Sequence, residues 1–258
     1  MTKPIVFLDI DGTILDYDKN IPNTSKKSIQ QLKDKGIHVA IATGRAPFMF
    51  EHIRKELDIH SFVSFNGQYV VFEDEVVYQN PLPKAKIEQL YTQALQSGHP
   101  MVFLNDMGMR ASEANHSHIS ESLGSLKFEY PEIDPEFYKN QNIHQALLFC
   151  TTHEEPQYLG GHDQLDFIRW HQYSMDVLPL GGSKAIGIEK FIERTGLKKE
   201  DTYAFGDGLN DKEMIQFANT GVAMGNAQPE VKELADVVTK NVEEDGLTHG
   251  FRMVGLLE

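Results

Sequence analysis

Short apolar runs and amphipathic stretches alternate along the first third of the chain. The strand-like runs and the helical stretches between them occupy residues 5–9, 25–35, 37–42, 48–57 and 62–64. Near-continuous runs of Val and Ile that are separated by helices indicate parallel strands covered on both faces. The pattern therefore predicts a βαβαβ unit, in which ligands bind at the carboxyl ends of the strands.

The same alternation returns in the last third of the chain, after Gly181. The predicted helices and strands there occupy residues 184–194, 203–205, 211–218, 222–223, 229–234 and 237–239. Both ends of the chain are thus predicted to build one doubly wound α/β layer with a parallel sheet.

The middle of the chain is richer in aromatic residues and histidines. Its strand-like runs occupy residues 101–104, 145–150, 165–170 and 174–178. We interpret it as an inserted α+β domain, bounded by the Pro-rich and Gly-rich stretches at 81–83 and 179–182. The expected organisation is a discontinuous core of residues 1–82 and 180–258 and an inserted domain of residues 83–179.

Charge and composition narrow the classes of partner. The net charge of -14 disfavours binding to nucleic acid or to an anionic membrane surface. A small phosphorylated molecule remains compatible, since a metal and a few cations can build an anion site in an acidic protein.

Cys150 is the only cysteine, which suits a buried thiol in a reducing compartment. With no apolar run near the ~20 residues of a membrane span, we expect a cytoplasmic protein; its oligomeric state is left open.

Two carboxylates follow the first predicted strand. Asp9 and Asp11 stand two residues apart in Phe-Leu-Asp-Ile-Asp-Gly-Thr, and like charges that close need a metal or a shared proton. A solvated turn or a helix N-cap is the structural alternative. A calcium loop is a third alternative, although the glycine is misplaced and Asn20 stands where the loop needs Glu.

A second acidic cluster follows the predicted strand at 203–205. Asp207 and Asp211 lie in Phe-Gly-Asp-Gly-Leu-Asn-Asp, which also contains Gly-x-Gly. A dinucleotide fingerprint would need a glycine at position 211, where a carboxylate would repel pyrophosphate. Acidic oxygen ligands instead suit a hard cation such as Mg²⁺.

Two further segments could bind phosphate. Thr43-Gly44-Arg45 follows the second strand, and its hydroxyl and backbone N–H groups precede a helix. Ser183-Lys184 opens another helix, where Ser183 can cap and Lys184 can place a positive charge. For each segment alone, an ordinary loop or helix cap is the alternative.

Taken in their order along the chain, the four segments resemble the four motifs of the haloacid dehalogenase superfamily. These motifs are D-x-D-G-T, a strand-end Thr, a helix-borne Lys and G-D-x-x-x-D. The resemblance covers the whole chain, because the insert looks like the type 2 cap of the superfamily. G-D-G-x-N-D, T-G-R and Asn66-Gly67 are similar to its Cof-type phosphatases, subfamily IIB. The implied fold is a Rossmann-like core with an inserted cap.

The resemblance implies a role for each motif residue. Asp9 is the nucleophile, and Asp11 is the general acid and base. Mg²⁺ is held by Asp9, Asp207 and the Asp11 backbone carbonyl, with Asp211 in the outer shell. The residues implied to bind the phosphoryl group are Thr43, Gly44, Lys184 and Asn210.

Substrate contacts outside these motifs are less specific. Arg45 is a candidate by resemblance, and Arg169, Trp170 and His171 are candidates in the cap, with sheet packing or solvent exposure as their alternative. His116 and His118 could suggest a second metal site, but the spacing places no third ligand, and a polar helix start is the favoured explanation.

The implied reaction is Mg²⁺-dependent hydrolysis of a small phosphate monoester through an aspartyl-phosphate, with a sugar phosphate as the favoured substrate. The presence of Asp11 favours phosphate-ester chemistry over the ATPases and dehalogenases of the superfamily, which lack a second Asp. A sugar phosphomutase of the same superfamily and a non-catalytic binding protein on this scaffold are the alternatives.

Overall fold

The protein is described by a computed structural model that covers residues 4–258 and forms two compact units. The first unit contains residues 4–45, 49–79 and 183–258, and the second contains residues 46–48 and 80–182. The joins at 79/80 and 182/183 lie three residues from the predicted boundaries at 82/83 and 179/180. The role of the second unit as a cap stays a prediction.

The segment before the insert alternates strands and helices. Its elements are β1 (Ile5–Leu8), α1 (Asn23–Asp34), β2 (His38–Ala42), α2 (Glu51–Leu57), β3 (Ser61–Ser64), β4 (Tyr69–Phe72) and β5 (Glu75–Gln79). The sequence pattern did not predict β4 and β5. They form a hairpin around Glu73 and Asp74, which both have the positive φ that two-residue hairpin turns require.

The insert contains an antiparallel set of strands together with helices of four to thirteen residues. Its elements are α3 (Lys84–Gln96), β6 (Met101–Leu104), β7 (Met109–Ala111), α4 (Ser117–Ser125), α5 (Phe137–Asn140), β8 (Gln145–Phe149), α6 (Pro156–Leu159), β9 (Leu165–His171) and β10 (Ser174–Pro179). The strands pair antiparallel in the order β7-β6-β8-β10-β9. Alternate side chains such as Met101, Leu148 and Met175 pack into the core of this unit, which also buries Cys150 as predicted.

The last segment returns to the first unit. Its elements are α7 (Lys184–Thr195), β11 (Thr202–Gly206), α8 (Lys212–Phe217), β12 (Thr220–Ala223), α9 (Pro229–Lys232), β13 (Val237–Val238) and α10 (Gly246–Met253). Helix α7 buries Ile188, Phe191 and Ile192 on one face, at the spacing of an amphipathic helix. It ends at Gly196, whose left-handed φ of 73° is an ordinary helix stop.

The two ends of the chain share one sheet, in the order β13-β12-β11-β1-β2-β3-β4-β5. The strands from β13 to β3 are parallel, and the β4–β5 hairpin adds an antiparallel edge. The predicted α/β core is confirmed. Strand β1 lies between β11 and β2, with Leu8 paired to both Phe205 and Ile41. The loops that follow these three strands therefore emerge side by side.

None of the helices within residues 4–258 has the length and apolar character needed to cross a bilayer.

An exposed charge cluster links the end of α2 to the β4–β5 turn. The His60 ring lies between two carboxylates, with Nε2 3.0 Å from Asp58 Oδ1 and Nδ1 2.5 Å from Asp74 Oδ2. Arg54 and Lys33 contact the same two carboxylates, at 2.9 and 2.6 Å. The hydrogen bonds to Asp58 and Asp74 raise the pKa of His60 above its ordinary value.

Protonated His60 is therefore expected to stabilise the fold at low pH. Because the folded-state pKa is raised, this contribution is fully present below the ordinary histidine pKa and is lost as pH rises through the raised value. His60→Gln should lower the free energy of unfolding by up to about 1 kcal/mol at acidic pH and by less at alkaline pH, as expected for an exposed pair. Urea unfolding across the pH range measures this difference, with the exposed His153→Gln as control; a pH-independent difference would contradict it.

Candidate active site

Three neighbouring strand ends bring the predicted polar residues together. Asp9 follows β1, Thr43 follows β2 and Asp207 follows β11. The Asp9 N–H donates to the Phe205 carbonyl at 3.0 Å, and the Thr43 N–H donates to the Val63 carbonyl at 2.8 Å. The sheet pairing thus continues one residue beyond β1 and β2, and it fixes the backbone positions from which the Asp9 and Thr43 side chains extend. The site lies at the carboxyl edge, as the sheet topology predicts.

Lys184 is completely buried and links two carboxylates. Its Nζ lies 2.6 Å from Asp9 Oδ1 and 2.6 Å from Asp211 Oδ1. The lysine is the first residue of α7, and Ser183 caps that helix by accepting the Ile186 N–H at 3.3 Å, as predicted. Burial opposes the charge of Lys184, but Asp211 and Asp9 outweigh it and raise the pKa of the ammonium above its ordinary value.

Asp211 organises the loop that carries Asp207. Its Oδ2 accepts the backbone N–H groups of Asp207 and Gly208 at 2.9 and 2.8 Å, and its Oδ1 accepts Lys184. The side chain is fully buried. Both oxygens therefore have protein partners, an arrangement that suits the predicted outer-shell position better than direct coordination.

Asp9, Asp207 and Asp211 form a compact acidic cluster. One oxygen from each lies within 4.8 Å of the others, and within residues 4–258 this is the only such group of possible metal ligands. Burial, followed by the charge of Asp211, raises the pKa of Asp9 well above its usual range. The same two causes raise the pKa of Asp207 to about 6. Three carboxylates against one ammonium leave an excess of negative charge, and all-oxygen donors fit a hard divalent cation such as Mg²⁺.

Two glycines allow the acidic groups to approach the backbone. A Cβ on Gly12 would lie 2.3 Å from Asp207 Oδ2, and the φ of 77° at Gly12 is left-handed. A Cβ on Gly206 would lie 2.5 Å from the Asp211 carboxyl carbon. Any side chain at either position would force the cluster apart.

The predicted phosphate-binding residues converge on the same edge. Thr43 is buried, and its Oγ1 accepts the Arg45 N–H at 3.1 Å. Asn210 donates from Nδ2 to Asn66 Oδ1 at 3.2 Å. A Cβ on Gly44 would lie 3.0 Å from that same Asn66 oxygen, so Asn66 connects the two loops. Their role in binding phosphate stays a prediction.

Asn226 belongs to the site but was not predicted. Its Nδ2 donates to Asp207 Oδ2 at 3.1 Å and to the Gly12 carbonyl at 2.8 Å, while its Oδ1 accepts the Val242 N–H at 2.9 Å. The side chain thus orients Asp207 and ties it to the Asp9 loop. The sequence feature that could identify Asn226 as a site residue is its position just after strand β12. This strand is the next parallel strand beyond β11.

The Asp11 side chain is not one of the three clustered carboxylates and is held by two cations. Arg45 donates to it twice, from Nε to Oδ2 at 2.9 Å and from Nη2 to Oδ1 at 2.7 Å. Lys19, which was not predicted, donates to Oδ1 at 2.7 Å. Burial alone would raise the pKa of Asp11, but the hydrogen bonds and charges of Arg45 and Lys19 outweigh it and hold the pKa below its ordinary value. Arg45 was expected to contact substrate, and here it is engaged by Asp11.

The remaining predicted contacts lie on β9 in the second unit. Arg169 donates to Glu155 Oε2 at 2.6 Å and to the Cys150 and His171 carbonyls at 3.1 Å each. These bonds occupy its guanidinium with protein groups, so Arg169 is not the solvent-exposed side chain of its alternative and is not free for a substrate here. The Trp170 ring packs 5.7 Å from the His171 ring, and His171 Nδ1 lies 2.9 Å from Ser122 Oγ.

The two other histidines start a helix, in agreement with the simpler explanation. His116 is the N-cap of α4, and its Nδ1 accepts the His118 N–H at 3.2 Å. The His118 ring stacks on Tyr173 with 4.2 Å between the ring centroids. These contacts explain the pair without a second metal.

Comparison with known proteins decides the family. Residues 6–251 match the family model of the haloacid dehalogenase-like hydrolases. The chain belongs to this family. Over 258 residues it is 53% identical to the Bacillus subtilis (strain 168) protein named "Putative phosphatase YkrA", with all of both chains covered. The predicted superfamily and enzyme class, a phosphatase of the haloacid dehalogenase type, are confirmed.

Solved structures agree with this assignment. A crystal structure of a hypothetical protein from Geobacillus kaustophilus HTA426 superimposes with a TM-score of 0.97 at 54% identity, covering 99% of this chain and 100% of that one. The sugar phosphatase BT4131, described as HAD subclass IIB, superimposes with a TM-score of 0.83 at 28% identity, covering 99% and 100%. The predicted subfamily is thereby confirmed.

Magnesium is expected to stabilise the wild-type protein through the acidic cluster. The raised pKa values of Asp9 and Asp207 mean that protons compete with the metal for these oxygens. The increase in Tm on adding Mg²⁺ should therefore be larger at about pH 8 than at about pH 6, and Asp207→Asn should remove most of it. Thermal unfolding with NaCl at matched ionic strength is the control. An equal increase in Tm for Asp207→Asn would place the binding elsewhere.

Arg169 is expected to stabilise the second unit without contacting substrate. Arg169→Gln leaves Glu155 without its partner and should cost about 1–3 kcal/mol of unfolding free energy. The value of KM should stay within a factor of about two, since no binding group is removed. Chemical unfolding and steady-state kinetics on the same samples test both statements. A large rise in KM at unchanged stability would instead identify Arg169 as a substrate contact.

Proposed function

We propose that the chain hydrolyses a small phosphate monoester in a magnesium-dependent reaction, with Asp9 as the nucleophile. The observation that carries this proposal is the placement of a buried lysine between Asp9 and Asp211, beside Asp207. Lys184 places a fixed cation beside the Asp9 carboxyl group; this cation favours the charged form that attacks phosphorus and opposes the effect of burial. The surrounding charges are arranged for phosphoryl transfer, where positioning and charge stabilisation provide most of the catalysis.

In the first step an oxygen of Asp9 attacks phosphorus. The bond from phosphorus to the leaving oxygen breaks, and that oxygen takes a proton from Asp11. The products are an aspartyl-phosphate on Asp9 and the free alcohol. Arg45 and Lys19 favour the carboxylate form of Asp11 in the free protein, so this step requires that Asp11 carry a proton when the anionic substrate is bound.

In the second step water attacks the phosphorus of the aspartyl-phosphate. Asp11, now a carboxylate, takes a proton from the water, and the bond between phosphorus and Asp9 breaks. Inorganic phosphate leaves and Asp11 is protonated again for the next turnover. The low pKa of Asp11 keeps the carboxylate available as a base.

Mg²⁺ would be held by Asp9, Asp207 and the Asp11 backbone carbonyl, with Asp211 in the outer shell. When bound, the metal would neutralise charge on the transferring phosphoryl group. Lys184 contributes a second, fixed positive charge next to the nucleophile. Thr43, Gly44 and Asn210 line the adjacent loops, where hydroxyl, amide and backbone N–H groups can donate to phosphoryl oxygens.

We propose a sugar phosphate as the substrate class. The support is the 28% identity to the sugar phosphatase BT4131 over nearly the whole chain. Other relatives act on different small molecules: a Bacillus subtilis (strain 168) protein that is 29% identical over 258 residues, covering 95% of this chain and 96% of that one, is named a 5-amino-6-(5-phospho-D-ribitylamino)uracil phosphatase. A substrate panel should therefore include phosphorylated cofactors and their precursors.

Replacing the nucleophile is the decisive test. Asp9→Asn should lower phosphate release by on the order of 10⁴-fold or more, since the covalent step is lost. Phosphate release is measured over a panel of phosphometabolites with and without Mg²⁺, and no bisphosphate activator is added, which separates hydrolysis from mutase chemistry. Asp34→Asn, the same change at an exposed carboxylate of α1, is the control and should retain full activity. Substantial phosphate release by Asp9→Asn would refute the mechanism.

A further inference from the structure

Lys19 lies in a tight turn that directly follows the Asp9–Asp11 loop. The Asp16 N–H donates to the Asn20 carbonyl at 2.9 Å, and the Lys19 N–H donates to the Asp16 carbonyl at 3.1 Å. Asp16 Oδ1 also accepts the Asn20 N–H at 2.8 Å. The turn is therefore closed by its own backbone and by Asp16, without any contribution from the Lys19 side chain.

The backbone of Lys19 has a φ of 66°, in the left-handed region. Glycine and asparagine adopt this conformation readily, whereas a residue with a long side chain adopts it at a cost in free energy. The turn would thus be more stable with glycine at this position. What the lysine adds is its contact with Asp11 Oδ1 at 2.7 Å.

That contact is not needed to neutralise Asp11. Arg45 already binds both oxygens of the carboxylate in a bidentate pair. Lys19 adds a third hydrogen bond and a second positive charge, although about half of its side chain is exposed. Arg45 approaches from the loop after β2, and Lys19 approaches from the turn at 16–20. Two independent loops therefore hold one carboxylate, and a carboxylate with three donors has little freedom to rotate.

We propose that Lys19 is a positioning residue: together with Arg45 it holds the Asp11 carboxyl group in the orientation in which it exchanges protons with the leaving oxygen and with water. This inference rests on the proposed function. Lys19 acts through Asp11, so its effect should follow the chemistry of Asp11 and not the affinity for substrate. A displacement of about 1 Å at a catalytic group can cost on the order of 10²-fold in rate.

The leaving group provides a specific readout. Ribose 5-phosphate releases an alkoxide oxygen that needs a proton, whereas 4-nitrophenyl phosphate releases a phenolate that is stable without one. The ratio kcat/KM covers only the steps up to formation of the aspartyl-phosphate. Lys19→Met should therefore lower kcat/KM for ribose 5-phosphate by about tenfold or more and for 4-nitrophenyl phosphate by less than about twofold.

Three further variants separate positioning from fold stability. Lys19→Arg keeps the cation and should restore most of the kcat/KM for ribose 5-phosphate. Lys19→Gly removes the side chain but relieves the left-handed backbone, so Tm should stay equal or rise while kcat/KM falls as in Lys19→Met. Lys127 is a second exposed lysine with a left-handed φ, of 64°, in the other unit. Lys127→Gly is the matched control and should leave the kinetics unchanged.

A double-mutant cycle tests whether Lys19 acts through Asp11. In an Asp11→Asn background, Lys19→Met should cause less than about a twofold further change in kcat/KM, because the group that it positions is gone. An equal loss with both substrates, a rise in KM at constant kcat, or full additivity in the cycle would overturn the inference and identify Lys19 as a phosphate or substrate contact. Unchanged kinetics in Lys19→Met would overturn it as well.

The same assays include Asp9→Asn. Loss of activity in Asp9→Asn with no effect of Lys19→Met would overturn the positioning role alone. Retained activity in Asp9→Asn would overturn the proposed function and this inference together.

Discussion

The buried ion pair of Lys184 with Asp9 and Asp211 is the interaction on which the rest of the site depends. An ammonium with no solvent exposure is stable only where carboxylates surround it, and here two of them lie at 2.6 Å. Loss of one partner from a buried pair typically costs about 3–5 kcal/mol. The pair joins the loop after β1, the start of α7 and the loop after β11, so one set of charges fixes three segments that are distant in the sequence.

Charge is distributed unevenly across the site. Around Lys184 the carboxylates outnumber the cation, with an excess of negative charge that suits a divalent metal. Around Asp11 the balance of charge is reversed, because two cations, Arg45 and Lys19, hold one carboxylate. An acidic protein can thus present a local positive region to an anionic substrate beside a negative region for the metal. The net charge of -14 describes neither region.

The sequence predicted the residues that stand at strand ends, because the parallel sheet dictates where strand ends meet. Asp9, Thr43 and Asp207 are of this kind, and they lie at one edge of the sheet. Lys19 and Asn226 escaped prediction because their roles depend on a local turn and on a long-range contact that no periodicity records. The β4–β5 hairpin is not predicted for a related reason, since Glu73-Asp74 is not the Asn-Gly or Asp-Gly pair that usually marks a two-residue turn.

Residue types that look catalytic can also be structural. Arg169 stands in a run of aromatic and polar residues, yet its guanidinium is engaged by a carboxylate and by backbone carbonyls of its own unit. Conversely, a residue with no side chain can be important for the site. Gly12 determines how closely Asp207 can approach the Asp9 loop. A Cβ there would lie 2.3 Å from the carboxylate oxygen, far inside van der Waals contact. The approach of Asp207 to the Asp9 loop therefore depends on the missing side chain at Gly12 as well as on the carboxylates themselves.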